Sequence, residues 1–354
     1  MHNLNFLSFA FRNWKYSRDT KCPCGVLGYR LKILFDIIIS MQTLPSSLKI
    51  GVIRGGLSSE YETSLLSGAH VLELVSETHR PIDIFISKDG TWHMQGIEKT
   101  PSKILKNVDV VWNGLHGEFG EDGKVQEILS LHGVKQTGTE KYPSSIAMNR
   151  WLAKEHLKSI GIKTPTYALV RQTDNLKEKS KEIFLTIPNP LIIKPVRKNS
   201  SFETKIAKNY LELYDALYNI LSEESDALVE EYINGKVATV GVVDRFRDHK
   251  TYSLPAVEVS RENRDEQVCP GNFSAKEKKD LELLASLVHE HLGLKHYSSS
   301  DFIVSPKRGI YFINVNTLPE LHKNSAFVTS LKSVGASVKD FVGHVLGLAI
   351  GQNR

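Results

Sequence analysis

Asp301, Asn314 and Asn316 are three oxygen-bearing side chains that a single hairpin can bring together. Ser300–Asn316 is a pair of alternating apolar runs around Pro306-Lys307-Arg308-Gly309, a turn by composition. If Ser305 pairs with Ile310, Asp301 lies opposite Asn314. The two-residue strand period then puts Phe312, Asn314 and Asn316 on one face. Such oxygens suit hard Mg²⁺, and the same pattern also describes a polar cross-strand patch facing water. Lys194-Pro195 closes the apolar run Leu191–Ile193, so this lysine projects from the end of a buried strand, and Ser200-Ser201 follow in a polar loop. A lysine, hydroxyls and backbone N–H groups at a strand end suit phosphate. An ordinary surface turn fits equally, because the loop lacks the glycine of a typical phosphate cradle. The third group is His116-Gly117-Glu118-Phe119-Gly120-Glu121-Asp122-Gly123, directly after the strand Val108–Trp112. Its glycines permit tight turns, and loops at the carboxyl ends of strands carry ligands in open α/β sheets. A glycine-rich helix start with solvated acids is the plainer reading.

The elements needed to position these groups are readable from Leu48 onward. Lys49–Ile53 is a β-branched apolar run ending in Gly55-Gly56. Ser59 and Glu62 have the spacing of a capping box for a helix carrying Leu65, Ala69 and Leu72. Ile82–Ile86 and Val108–Trp112 are further strands, which makes this part an open α/β sheet. Residues 144–160 form one amphipathic helix stopped by Gly161, with Pro165 just beyond. Short strands at Leu191–Ile193, Thr204–Ala207 and Leu228–Tyr232 surround a helix near Tyr210–Leu221. Ala238–Val243 and Ala256–Val259, a helix over Ala275–His291, the hairpin, and a helix over Ser337–Leu348 complete the chain. The fold class is therefore α/β followed by α+β.

Composition narrows the function classes. The chain has 354 residues, 41% hydrophobic and 24% charged, enough for two or three domain cores. A net charge of +5 is spread along the sequence without a basic block, which speaks against a nucleic-acid partner. Cys22, Cys24 and Cys269 cannot form a disulfide framework, which points to a reducing compartment. Cys22-Pro23-Cys24 lacks the partners of a metal site. Leu31–Ile39 is short and interrupted by Asp36, too little for stable membrane insertion. With Met41 just before a clean strand, residues 1–47 are expected to be an N-terminal extension, disordered or an artefact of the start site. The domains are expected at 48–140, 141–235 and 236–354.

Taken in order, five segments resemble the D-alanine–D-alanine ligase family of the ATP-grasp superfamily, from about Lys49 to the C-terminus. Gly55–Ser64 resembles the family's first substrate loop, and His116–Gly123 its His-Gly-x-x-Gly-Glu-Asp-Gly element. Ala147-Met148-Asn149-Arg150 resembles the opening of the ATP-grasp region. Leu228–Ile233 resembles the segment that holds adenine, and Asn316-Thr317-Leu318-Pro319 the end of the metal hairpin. The resemblance implies a three-domain ATP-grasp fold with an N-terminal open α/β sheet, using ATP and Mg²⁺ (or Mn²⁺). It implies phosphate contacts from Lys194 and Arg150, and nucleoside contacts from Glu230, Glu231, Tyr232 and Ile233. Asp301, Asn314 and Asn316 would occupy the metal positions. Glu60, His116, Ser200 and Ser201 would be catalytic, Glu60 orienting the first amino group, and Ser325 would contact the second substrate. Implied too are a cytoplasmic location, a role in peptidoglycan precursor synthesis, small amino-acid substrates such as D-alanine, and homodimerisation.

Departures from the family pattern cluster in its chemistry. Asn314 replaces a bridging glutamate, Ser299 an arginine that would steady an oxyanion, and Glu320 a glycine. Arg150 replaces a lysine, Val237 a ribose-binding acid, and the nine residues Ser260–Val268 a longer lid. Three activities fit this pattern: the family's own ligation, ligation of a different amino acid, or nucleotide and ligand binding without turnover.

Overall fold

β1 (Lys49–Gly55) is apolar on both faces, with Ile50, Val52 and Ile53 fully buried, as a central parallel strand requires. The computed structural model describes residues 47–197, 204–223, 226–261 and 266–351. The expectations for residues 1–46, with the Cys22–Cys24 pair, and for Ser200 and Ser201 fall outside these described residues. After β1 come α1 (Tyr61–Ser76), β2 (Arg80–Ile86), β3 (Trp92–Met94), β4 (Ile97–Glu98), α2 (Pro101–Leu105), β5 (Val110–Asn113), α3 (Lys124–Leu131) and β6 (Lys135–Gln136). The sheet order is β4-β3-β2-β1-β5-β6, with β2, β1, β5 and β6 parallel. The loops after β1 and β5 therefore emerge side by side at the carboxyl edge. The capping box expected at Ser59 and Glu62 is absent: α1 starts after Glu60, with no side-chain cap. The hydroxyl that matters in this loop is that of Ser58, which donates to His116 O at 2.5 Å and accepts from Glu60 N at 3.1 Å. It joins the two loops instead of capping the helix.

The helix expected over residues 144–160 is two helices, α4 (Lys141–Met148) and α5 (Arg150–Ser159). Asn149 is extended between them, caps α5 by accepting from Leu152 N, and bridges Arg197. Arg150 N donates to Val196 O, so the break docks α5 on the next sheet. That sheet contains β7 (Tyr167–Val170), β8 (Leu191–Pro195), β9 (Lys205–Ala207) and β10 (Ala227–Glu231), in the order β7-β10-β8-β9 and all antiparallel. α6 (Leu176–Thr186) and α7 (Tyr210–Ser222) cover one face, where Leu191, Ile193, Ala227 and Val229 join their core. The intervening residues, Ile192, Lys194, Leu228 and Glu230, consequently point to the other face.

The third sheet holds β11 (Lys236–Asp244), β12 (Thr251–Ser253), β13 (Val257–Val259), β14 (Gln267–Val268), β15 (Tyr297–Ser305) and β16 (Gly309–Asn316). α8 (Ala275–His291) precedes β15, and α9 (Ala326–Ser333) and α10 (Val338–Ala349) follow β16. α8 and α10 have true capping boxes, Ser274 with Glu277 and Ser337 with Asp340, each stabilising by about 1 kcal/mol.

The hairpin differs from its expected register in an instructive way. Gly309, at φ +80°, tightens the turn, so Ser305 pairs with Gly309 and Val304 with Ile310. A bulge between Asp301 and Phe302 then inserts Ile313 and restores the pairing of Asp301 with Asn314. The extra residue also breaks the two-residue period. Phe312 and Val315 pack under α8 with Phe302, so Phe312 does not share the face of Asn314 and Asn316. Trp112 of the first sheet stacks on Tyr297 at 6.0 Å, and both meet Phe341 edge-on. Such pairs add about 0.5–1.5 kcal/mol beyond burial and hold the first sheet against the strand that carries Asp301. Among the described residues no helix is long and apolar enough to cross a membrane.

Candidate active site

Lys194 and Glu230 lie on one face because β8 and β10 pair Lys194 with Leu228 and Ile192 with Glu230. Lys194 Nζ reaches Glu230 Oε2 at 2.8 Å. Lys154, absent from the sequence reading, reaches Glu230 Oε1 at 3.0 Å and is fully buried. A signal for it existed, since Lys154 follows Arg150 by four residues and so shares its helix face. Arg150 Nη1 donates to the carbonyls of Pro195 (2.7 Å) and Arg197 (3.1 Å). Two lysines thus share one carboxylate, and Arg150 is near enough to feel its charge. Burial lowers the Lys194 pKa to about 8, with Lys154 and Arg150 pushing the same way and Glu230 opposing. Burial also lowers Arg150 to about 10 against Glu230 and Glu60. For Glu230, burial acts upward, but the two lysines win and hold it at about 2. A buried surplus of positive charge is costly unless an anion joins it.

Beside this cluster a cleft open to solvent runs between the second and third sheets. Ile192, Ile233, Ile303 and Ile313 line it, together with Lys194 and Glu230. Apolar side chains beside a buried lysine suit a nucleoside polyphosphate. Glu231 lines the cleft, but its carboxylate accepts from Thr166 N (2.9 Å) and Arg308 Nη1 (2.8 Å), so it clips the two sheets together. Tyr232 lies beneath the Arg261 guanidinium at 5.0 Å, and Ile233 O accepts from Arg261 Nη2 at 2.7 Å. Val237 packs with Ile233 and Ile303 where an acid was expected.

Glu60, His116 and Glu121 bring ligand atoms within 4.8 Å of one another. Gly117, at φ +74°, donates its N–H to Glu121 Oε2 at 2.8 Å, and His116 Nε2 lies 3.0 Å from Ser67 Oγ. Two carboxylates around an imidazole suit an ammonium group. Thr317 donates to Glu121 Oε1 at 3.4 Å, joining this corner to the end of the hairpin.

On the hairpin Asp301 faces Asn314, and Asn316 lies one step along the same face. Thr239 Oγ1 donates to Asp301 Oδ1 (2.7 Å) and Leu318 N to Asn316 Oδ1 (2.9 Å). Each carbonyl or carboxylate oxygen carries a second lone pair, so the donor set fits Mg²⁺ with a single negative charge. Ser299 is buried opposite Asn316. Glu320 Oε2 meets His322 Nε2 at 2.7 Å. Ser325 is 6% exposed and its hydroxyl caps α9, accepting from Val328 N while donating to Glu320 O.

A family profile described as "D-ala D-ala ligase C-terminus" matches residues 156–347, more than half of the chain. The D-alanine–D-alanine ligase of Geobacter sulfurreducens is 31% identical over 310 residues, 84% of this chain and 93% of that protein. The chain belongs to the D-alanine–D-alanine ligase family. The structure of the Coxiella burnetii D-alanine–D-alanine ligase superposes with a TM-score of 0.78 at 20% identity, over 87% of this chain and 95% of that one. The VanG D-Ala:D-Ser ligase of Enterococcus faecalis gives 0.75 at 26% identity, over 86% and 99%. The fold is accordingly that of the D-alanine–D-alanine ligases, an ATP-grasp fold, and the charged cluster, apolar cleft and hairpin described above belong to it.

Proposed function

We propose that this chain is an ATP-dependent carboxylate–amine ligase that activates D-alanine and joins it to a second small amino acid, for peptidoglycan precursors in the cytoplasm. The observation that carries this reading is the pair of buried lysines, Lys154 and Lys194, sharing one carboxylate beside the half-buried Arg150, with Lys194 lining a cleft alongside four isoleucines. Lys194 and Arg150 would neutralise the phosphates, while the segment Glu230–Ile233 lies along the nucleoside. Glu60, near His116 and Glu121, would hold the ammonium of the first amino acid and so orient its carboxylate. Attack of that carboxylate on the γ-phosphorus expels ADP and leaves an acyl phosphate. The amine of the second substrate then attacks the carbonyl, phosphate departs, and the surplus proton goes to solvent. Asp301, Asn314 and Asn316 would hold Mg²⁺ or Mn²⁺, which when bound supplies charge neutralisation of the polyphosphate. Positioning and charge neutralisation carry most of such a transfer.

A different second substrate is favoured by Ser299 and Glu320, which change polarity beside the second amino acid. The test is phosphate release from Mg-ATP with D-alanine alone, then with D-alanine and D-serine or other D-amino acids. Release that depends on D-alanine is expected, with the best second partner identified by the screen. Stabilisation of the chain by ATP with no release in any mixture would instead mark a binding protein.

A further inference from the structure

Lys154 is a lysine with no exposed surface, on the inner face of α5. Packing alone would be served better by leucine or methionine, since a buried ammonium is costly without excellent partners. It has two. Its Nζ lies 3.0 Å from Glu230 Oε1 and 3.4 Å from Phe312 O. Glu230 divides its oxygens, giving Oε1 to Lys154 and Oε2 to Lys194. Phe312 is in β16, at the edge of the third sheet, immediately before the bulge. Its N–H donates to Lys163 O at 2.8 Å while its carbonyl takes Lys154. Both main-chain groups at the start of the bulge are therefore taken by the α5 side of the molecule.

We propose that Lys154 is a positioning residue for phosphoryl transfer: it holds one oxygen of Glu230 so that the other aims Lys194 at the phosphates, and it holds the Phe312 carbonyl so that Asn314 comes opposite Asp301. This rests on the nucleotide reading of the cleft. Without Lys154 the whole Glu230 carboxylate is available to Lys194, which then gains a stronger ion pair, loses a like-charged neighbour, and holds its proton to higher pH. The charged groups around Lys194 are Glu230 on β10 and Lys154 and Arg150 on α5. Beyond them, Glu60 acts on Arg150, and Tyr167 on β7 senses Glu230. The depressed Lys194 pKa, to about 8, has burial as its largest cause and Lys154 among those acting in the same direction.

The experiment is Mg-ATP affinity of the full chain between about pH 7 and 10, with turnover measured in parallel. Wild-type affinity is expected to be flat below about pH 8 and to fall about tenfold per unit above it. In Lys154→Met that limb should move up by about one pH unit, with kcat lowered at least about tenfold and KM for ATP little changed at pH 7. Lys154→Arg keeps the charge and is expected to fold and to leave the limb in place. A Met variant with a lower Tm and an unmoved limb would make Lys154 merely structural. An Arg variant whose limb moves by a unit would equally overturn the proposal, and it serves if the Met variant does not fold. If the wild type binds no ATP at any pH, the nucleotide reading fails and takes this inference with it. An unmoved limb with ATP bound defeats the inference alone.

Discussion

Glu230→Gln is expected to destabilise the protein by about 3–5 kcal/mol near neutral pH, measured by denaturant unfolding. Glu230 is 1% exposed and is the shared counter-ion of Lys154 and Lys194, with Arg150 acting on the same carboxylate. Glutamine keeps the shape but leaves the buried ammonium groups without an opposing charge. The penalty should depend on pH in a defined direction. In the wild type Lys194 already sits at about 8, below the unfolded lysine value, chiefly through burial. Removing Glu230, which opposes that shift, lowers it further. The unfolded chain then binds more protons than the folded one, so stability rises with pH until the unfolded lysines also titrate, near 10.4. The deficit of the glutamine variant should therefore shrink from pH 7 to about 8, above which the wild-type Lys194 gains in the same way. At the acid end the opposite holds. In the wild type the Glu230 contribution is present above the ordinary glutamate range and is lost as pH falls toward about 2. The glutamine variant should lack that limb. A deficit below about 1 kcal/mol, or one constant from pH 7 to about 8, would mean that the triad is not the buried charge centre described.

Much of this centre was legible in the residues. Lys194 at the end of an apolar run and Glu230 in the run Leu228–Tyr232 have the strand alternation that puts them on one face, and the structure puts them 2.8 Å apart. Lys154 was overlooked because a lysine on an amphipathic helix normally faces water. The second and third sheets, both packed against α5, bury it. The hairpin shows how compensating errors arise. A turn read one residue too long and a bulge that composition does not reveal cancel at Asp301 and Asn314, yet leave Phe312 on the wrong face. The break at Asn149 was hidden for a similar reason. Asn149 is an unexceptional residue inside a helical pattern, and its extended backbone is fixed by a bridge to Arg197, distant in sequence. Local patterning therefore found the strands and the charged groups. Contacts between sheets decided which groups are buried, which oxygens are shared and where the helix ends.

The double variant Ser299→Arg, Asn314→Glu is expected to raise D-alanine-dependent phosphate release by about a hundredfold or more, the range associated with a single oxyanion donor. Its two halves separate experimentally. Asn314 stands directly across from Asp301, whose Oδ1 already takes Thr239. Glutamate there puts like charges opposite each other, which destabilises the bare hairpin but doubles the anionic donors available to a divalent ion. Asn314→Glu alone should therefore lower the Tm in chelator and recover it in Mg²⁺ or Mn²⁺, by more than the wild type gains. Ser299 faces the cleft side of β15 opposite Gly241 and Asn316, and Leu254 and Phe327 lie over Gly241. An arginine must extend along that apolar surface to bring its guanidinium to a developing oxyanion. If the Mg²⁺-dependent Tm gain is absent, Asp301 and Asn314 do not form the metal site. If that gain appears while the rate stays at the wild-type level, the metal site stands, and the loss of arginine at position 299 is not what limits turnover.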